Sequence, residues 1–142
     1  MDSLQYRKLP CYKYEVASAF SVALPDGLAC DLGWNSEYLQ ISGCDLSIKP
    51  GYCWDGSSSI AIDSDKDMRA SLVHDALYQL MRMGILDYKT QRKAADELYR
   101  DMCVEDGMWK VRAWWRYKAI RKGGEKFTRP QPELREAIHE AP

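Results

Sequence analysis

The chain has 142 residues, which is close to the commonest size of one domain and long enough to bury a hydrophobic core. Hydrophobic residues make up 46% and charged residues 29%, a composition typical of globular rather than disordered proteins. The formal net charge of −1 provides no overall attraction to nucleic acid or to an anionic membrane. We therefore expect no specific nucleic-acid partner.

The sequence also lacks the patterns that direct a protein into or across a membrane. No apolar run reaches the roughly 18 residues of a membrane span, and the N-terminus, MDSLQYRKLPCYKYE, lacks the apolar stretch of a secretory signal. The five cysteines are odd in number and include no CxxC pair. We expect a cytoplasmic protein with free thiols and no zinc site.

The first 62 residues contain short β-prone segments separated by turn signals. The predicted strands lie at residues 12–16, 20–23, 28–31, 38–41 and 46–48. The turns between them are marked by Pro25-Asp26-Gly27, Asn35-Ser36, Ser42-Gly43 and Pro50-Gly51. This half predicts a small antiparallel sheet or meander.

From residue 63 onward the apolar residues follow a helical period. The pattern predicts helices at about 67–83, 89–105 and 108–122, which end near Gly84, Gly107 and Gly123-Gly124. Asp65 and Asp67 suit the positive N-terminal end of the first helix. The link between the first two helices is short, so we expect an antiparallel helix hairpin.

These elements predict an α+β fold, with an N-terminal antiparallel sheet followed by a three-helix half. We expect one domain over residues 1–128, with strands at about 10–50, a loop at about 50–63 and then the helices. Residues 129–142 are predicted to form a loosely held tail.

One polar cluster stands out within the helix hairpin. His74 falls inside the apolar stripe of the first helix, with Tyr78 beside it and Asp75 at its edge. Asp96 borders the stripe of the second helix, at a similar distance from the connecting turn, and Tyr99 lies within that stripe. The spacing predicts that His74 and Asp96 can meet.

The contact between His74 and Asp96 has two interpretations. A histidine in an apolar stripe needs a hydrogen-bond partner, and a facing carboxylate is also how enzymes fix an imidazole's tautomer. Alternatively, His74 is a core residue satisfied by backbone or by Tyr78, while Asp96 pairs with Arg100 four residues later. Spacing alone favours the second interpretation.

The strings LVHDALYQL and AADELYRDM resemble the His-Asp-x-x-Tyr and Ala-Asp-x-x-aromatic signature of secreted and parvoviral-capsid phospholipases A(2). The loop GYCWDGSSS precedes His74 where that family has its calcium loop. The resemblance covers roughly residues 50–104.

The phospholipase resemblance implies a role for each residue of the cluster. His74 would be the general base, Asp96 would orient it, and Tyr78 would hold Asp96. Asp75 would bind Ca²⁺ together with loop carbonyls near Trp54, Gly56 and Ser58. The metal would stabilise the oxyanion at the attacked ester carbonyl.

A second resemblance covers residues 12–124. WDGSSSI, LVHDALY, AADELY and WWRYKAIRKGG look like an uncharacterised protein family of tailed bacteriophages and prophages. This resemblance implies a phage origin, with the host cytoplasm or the virion as the location.

Two functions remain open from the sequence. The protein is either a phospholipase A(2)-like ester hydrolase acting on phospholipid of the host envelope, or a non-catalytic phage protein that contacts virion proteins or a host protein. A metal phosphohydrolase is poorly supported, because the chain has only two histidines. The third helix combines six basic residues with aromatic ones, which fits a docked helix with snorkelling charges better than a membrane or nucleic-acid contact.

Overall fold

The structure is a computed structural model that describes residues 3–9, 14–28, 33–54 and 65–130. In these residues, short strands precede three helices. The strands are β1 (Tyr6–Lys8), β2 (Tyr14–Val16), β3 (Phe20–Ala23), β4 (Trp34–Asn35), β5 (Leu39–Ser42), β6 (Asp45–Ile48) and β7 (Cys53–Trp54). The helices are α1 (Met68–Arg82), α2 (Tyr88–Glu105) and α3 (Lys110–Gly123), followed by a 3-10 turn at Glu125–Phe127. The architecture is α+β, as predicted.

The strands form two antiparallel sheets. One has the order β1-β2-β7, and the other has the order β3-β6-β5-β4. In the larger sheet the side chains alternate between buried and more exposed, as the period-2 pattern of a strand with one covered face requires. Its buried positions are Phe20, Val22, Leu39, Ile41, Leu46 and Ile48.

The strand predictions are confirmed where the apolar alternation is strong. β3 has the predicted bounds, while β5 and β6 each lie within one residue of the predictions at 38–41 and 46–48. Three strands were not predicted, namely β1, β4 and β7, which are only two or three residues long. Asn35, predicted to mark a turn, lies in β4. Most of the strand predicted at 28–31 falls outside the described residues.

The helices lie where the sequence predicts them, to within two residues at each end. α1 is followed by Gly84 with φ +76° and α2 by Gly107 with φ +102°, backbone values that glycine adopts without a Cβ clash. The Asp87 carboxylate accepts a hydrogen bond from the Lys89 N–H at 2.9 Å and so caps α2. α1 packs on α2, and α2 packs on α3.

One hydrophobic core joins the sheets to the helices. The same buried cluster contains Phe20 and Ile48 of the larger sheet, Trp54 of the smaller one, and Leu77 and Ile120 of the helices. Nearly all of α1 is buried, including its polar residues Ser71, His74 and Asp75. A polar cluster on α1 therefore lies inside the fold.

The cysteine expectation requires a correction. Cys53 and Cys103 are free thiols, but Cys44 is disulfide-bonded. The odd count of five permits such a pair, and the sequence alone does not identify it. Among the described helices, none is both long and apolar enough to cross a membrane.

Candidate functional site

His74 lies in the middle of α1 and faces α2. Its Nε2 is 2.8 Å from Oδ1 of Asp96. Both side chains are removed from solvent, His74 at 3% exposure and Asp96 at 0%. The imidazole ring packs against Tyr78, with ring centroids 4.0 Å apart, and its other aromatic neighbour is Tyr99, at 5.4 Å and edge-on. The structure thus brings together two residues that, from the helix spacing, could meet.

Asp96 is the centre of a larger hydrogen-bond network. The Tyr78 hydroxyl donates to Oδ1 at 2.6 Å, and Nη1 of Arg121 donates to Oδ2 at 2.9 Å. The Nε of Arg92 lies 3.9 Å from Oδ2, which is within ion-pair range but beyond a hydrogen bond. Three elements, α1, α2 and α3, therefore meet at one buried carboxylate.

The partners of Asp96 determine its protonation state. Burial by itself raises the pKa of this carboxyl. The hydrogen bond and charge of His74, together with the hydrogen bonds from Tyr78 and Arg121, outweigh burial and lower the pKa below its ordinary value. Asp96 is therefore an ionised carboxylate at neutral pH.

An ionised carboxylate fixes the orientation of the histidine ring. Nε2 of His74 and Oδ1 of Asp96 are 2.8 Å apart. Because the ionised Asp96 has no proton to donate, the hydrogen between these two atoms must belong to Nε2. Nδ1 has no hydrogen-bond partner among the residues described. In the neutral ring Nδ1 then carries the lone pair, which is the atom that can accept a proton from another molecule.

Tyr78 stays protonated and supports the carboxylate. Burial, and then the negative charge of Asp96, raise the pKa of its hydroxyl far above the ordinary value. The hydroxyl lies close to Gly124, where an added Cβ would be 2.6 Å from the Tyr78 oxygen and 2.7 Å from the Ile120 carbonyl oxygen. Gly124 thus leaves room for the hydroxyl that holds Asp96.

A second polar cluster borders the first. Nη2 of Arg116 donates to Oδ2 of Asp67 at 2.7 Å, and Nε of Arg116 donates to the Tyr99 hydroxyl at 2.9 Å. Asp67 was predicted only as an acid favourable to the helix N-terminus, but its side chain makes no capping bond to α1. Tyr99 therefore touches the ring of His74 and directs its hydroxyl to this second cluster.

The proposed calcium ligands are only partly described. Asp75 is 8% exposed and lies on α1 next to His74, and Trp54 is buried at the end of β7. Gly56 and Ser58, the other predicted ligands, lie outside the described residues. Among the residues that are described, no group of three His, Cys, Asp or Glu side chains could hold a metal. Calcium prefers six to eight oxygen ligands, so Asp75 could hold it only together with oxygens from elsewhere. The calcium site stays a prediction.

Sequence reasoning missed the arginine partners of Asp96. The alternative pairing of Asp96 with Arg100 is wrong, since Arg100 binds Asp101 at 3.0 Å and lies over the Tyr117 ring. Arg92, four residues before Asp96, could have been found from helical spacing. Arg121 could not, because its approach depends on how α3 packs against α2.

The fold and site together define an α+β domain in which a buried His–Asp pair links the first two helices. The chain belongs to the DUF1353 family, described as a protein of unknown function, whose model matches residues 38–120. The matched segment includes His74, Tyr78 and Asp96 and ends just before Arg121. No curated protein and no solved structure matches the chain. The expectation of an uncharacterised family is confirmed, while its phage origin stays a prediction.

Proposed function

We propose that the protein is a lipid-ester hydrolase in which His74 is the general base. The observation that carries this proposal is the 2.8 Å contact between Nε2 of His74 and the ionised Asp96. Such a contact orients the imidazole and stabilises the positive charge that it gains on accepting a proton. Nδ1 is left as the atom that meets the water.

The proposed reaction needs only the residues of this cluster for its proton transfers. Nδ1 of His74 takes a proton from water while the water oxygen bonds to the ester carbonyl carbon. The tetrahedral intermediate then breaks its bond to the alcohol oxygen, and the imidazolium returns the proton to that oxygen. The products are a fatty acid and an alcohol. Asp96 stays ionised throughout and is held in place by Tyr78 and Arg121.

Calcium is part of the proposal through Asp75. This carboxylate follows His74 directly in the sequence, as in the phospholipase A(2) signature that LVHDALY resembles. Bound calcium would supply stabilisation for the negative charge on the ester oxygen. The remaining oxygen ligands in the proposal come from Trp54, Gly56 and Ser58.

In the proposal, the protein is encoded by a phage and hydrolyses phospholipid of the host envelope. The support is the likeness of WDGSSSI, LVHDALY, AADELY and WWRYKAIRKGG to proteins of tailed bacteriophages and prophages. In this setting the protein is made in the host cytoplasm. Mass spectrometry of purified phage particles tests whether it is also a component of the virion.

A second candidate function is a non-catalytic phage protein, either a virion component or a binder of a host protein. Two observations favour it. His74 is only 3% exposed, and Arg121 neutralises the carboxylate that would otherwise support a charged imidazole. In this alternative the His–Asp cluster is a satisfied polar core that fixes the packing of three helices.

The two functions are separated by release of labelled fatty acid from phospholipid vesicles, measured with calcium and with a chelator. The hydrolase proposal expects release by the wild type that the chelator reduces and that Asp75→Asn abolishes. Asp101→Asn is the matched control, because Asp101 lies on the exposed surface of α2. No release by the folded wild type under either condition would reject the hydrolase and leave the structural role.

A further inference from the structure

α3 carries an exposed apolar surface on the side opposite to its buried residues. Ala113, Tyr117 and Ile120 face the core. At about 100° per residue, Val111, Trp114, Trp115, Lys118 and Lys122 fall on one outward arc. We call these residues together with Trp109 the α3 outer face. Its apolar members have large exposed fractions: Trp109 81%, Val111 70%, Trp115 64% and Trp114 44%. Such a concentration on a single helix marks an interaction surface.

The charge of α3 is positive throughout. The helix contains six lysines and arginines and no acidic residue, in a chain whose formal net charge is −1. Two of the arginines are directed inward, Arg116 to Asp67 and Arg121 to Asp96. The exposed lysines Lys110, Lys118 and Lys122 make no salt bridge to any described carboxylate and are available to an outside partner.

Tryptophan and lysine together fit the boundary between water and lipid. An indole ring places its apolar body among acyl chains and its N–H near the headgroups, while a lysine stem reaches back to an anionic phosphate. From the four exposed apolar side chains and the positive helix around them, we propose that the α3 outer face binds the surface of an anionic phospholipid membrane.

The structure argues against two other occupants. A second copy of the chain would bring two positive outer faces together, which is unfavourable. Single-stranded nucleic acid stacks its bases on open aromatic faces, but Lys118 lies over the Trp114 ring at 5.3 Å, and Trp115 meets that ring edge-on at 4.9 Å. Asp101, an acid that lines the same pocket as Lys110 and Trp114, is paired with Arg100.

Membrane binding by this face does not depend on the proposed hydrolysis. The α3 outer face shares no residue with the His74 site, and binding is measured on vesicles that cannot be hydrolysed. The test uses vesicles of ether-linked phosphatidylcholine, alone or mixed with ether-linked phosphatidylglycerol, in the presence of a chelator. Cosedimentation and the blue shift of tryptophan fluorescence report binding.

The wild type should bind the anionic vesicles at least tenfold more tightly than the neutral ones, and added salt should weaken the binding. Lys118→Glu/Lys122→Glu should lose at least about tenfold in affinity, because each lysine near an anionic surface contributes roughly fivefold. Trp109→Ala/Trp115→Ala should lose about tenfold or more through lost apolar burial. Tyr38→Ala removes a 39%-exposed aromatic residue elsewhere and is the matched control, with unchanged binding.

Circular dichroism establishes that each variant is folded, as expected for substitutions at exposed positions. Wild-type binding no stronger to anionic than to neutral vesicles would overturn the proposal, as would equal binding by the Trp109→Ala/Trp115→Ala variant. Tighter binding of the wild type to a single-stranded oligonucleotide than to the anionic vesicles would also overturn it. So would a wild type that self-associates but does not bind vesicles, if Trp109→Ala/Trp115→Ala abolishes the self-association.

Discussion

Nε2 of His74 lies 2.8 Å from Oδ1 of Asp96, although the two residues are 22 positions apart in the chain. The short link after Gly84 turns α2 back along α1, so residues equally far from the turn face each other. Arg121 reaches the other oxygen of the same carboxylate from α3. The pair is therefore both a candidate for proton transfer and a structural junction, and the two roles predict different experimental results.

Asp96→Asn should destabilise the protein strongly. The substitution leaves Arg121 without a carboxylate in a largely buried site and disturbs the hydrogen bonds of His74 and Tyr78. Removing one partner of a buried ion pair typically costs about 3–5 kcal/mol. Urea unfolding followed by circular dichroism measures the change. Asp101→Asn, at an exposed position of the same helix, should stay within about 0.5 kcal/mol of the wild type.

Acid should weaken the fold through the same carboxylate. Folding lowers the pKa of Asp96 below its ordinary value of 3.8. Its stabilising contribution is therefore present above that value and is lost as the pH falls through the lower pKa of the folded state. The free energy of unfolding, measured between about pH 6 and pH 2, should fall more steeply for the wild type than for Asp96→Asn. Parallel curves would show that folding does not lower the pKa of Asp96.

Gly124→Ala should destabilise the protein, while Gly123→Ala should not. A Cβ at Gly124 would lie 2.6 Å from the Tyr78 hydroxyl and 2.7 Å from the Ile120 carbonyl, whereas nothing lies within 4 Å of a Cβ at Gly123. Overpacking of this kind costs about 1–3 kcal/mol. Thermal unfolding of both variants measures it. Gly124→Ala should cost less stability in a Tyr78→Phe background than in the wild type, because the hydroxyl that meets the new Cβ is gone. An equal cost in both backgrounds would place the strain at the Ile120 carbonyl alone.

Cys103 should resist thiol reagents that modify Cys53. Burial raises the pKa of the Cys103 thiol to about 12, and its side chain has no exposure, whereas Cys53 is exposed. Since the thiolate is the reactive form, alkylation of the native protein near pH 8 should be at least about tenfold faster at Cys53. Peptide mass spectrometry identifies the modified residue. Equal rates would mean that the α2 core opens readily.

The helices could be predicted from the sequence because each signal is local. Apolar residues recur every three or four positions, and Gly84 and Gly107 end α1 and α2 with a positive φ. These bounds and one short link showed that His74 and Asp96 could meet, although spacing alone favoured the interpretation in which Asp96 pairs with Arg100. Three of the strands could not be predicted, because β1, β4 and β7 are too short to show an alternating pattern.

The environment of the site was harder to predict than its central pair. Arg121 binds Asp96 across the α2–α3 interface, and Arg116 binds Asp67 from the same helix. In the sequence both arginines were interpreted as snorkelling charges around a docked helix. Their inward direction depends on the rotation of α3 about its axis, which its weak amphipathic pattern does not determine. Arg121, whose positive charge competes with His74 for Asp96, was therefore missed as a partner of this carboxylate.

The measurement that tests the central claim most directly is the initial rate of fatty-acid release from phospholipid vesicles by wild type and by His74→Gln. Glutamine cannot accept the proton of water, so the rate should fall by roughly 10²–10⁴-fold if His74 is the general base. Leu77→Ala, a buried substitution on the same helix, controls for lost stability and should retain its rate at a temperature where it is folded. A calcium-stimulated rate for His74→Gln equal to that of the wild type would contradict the account.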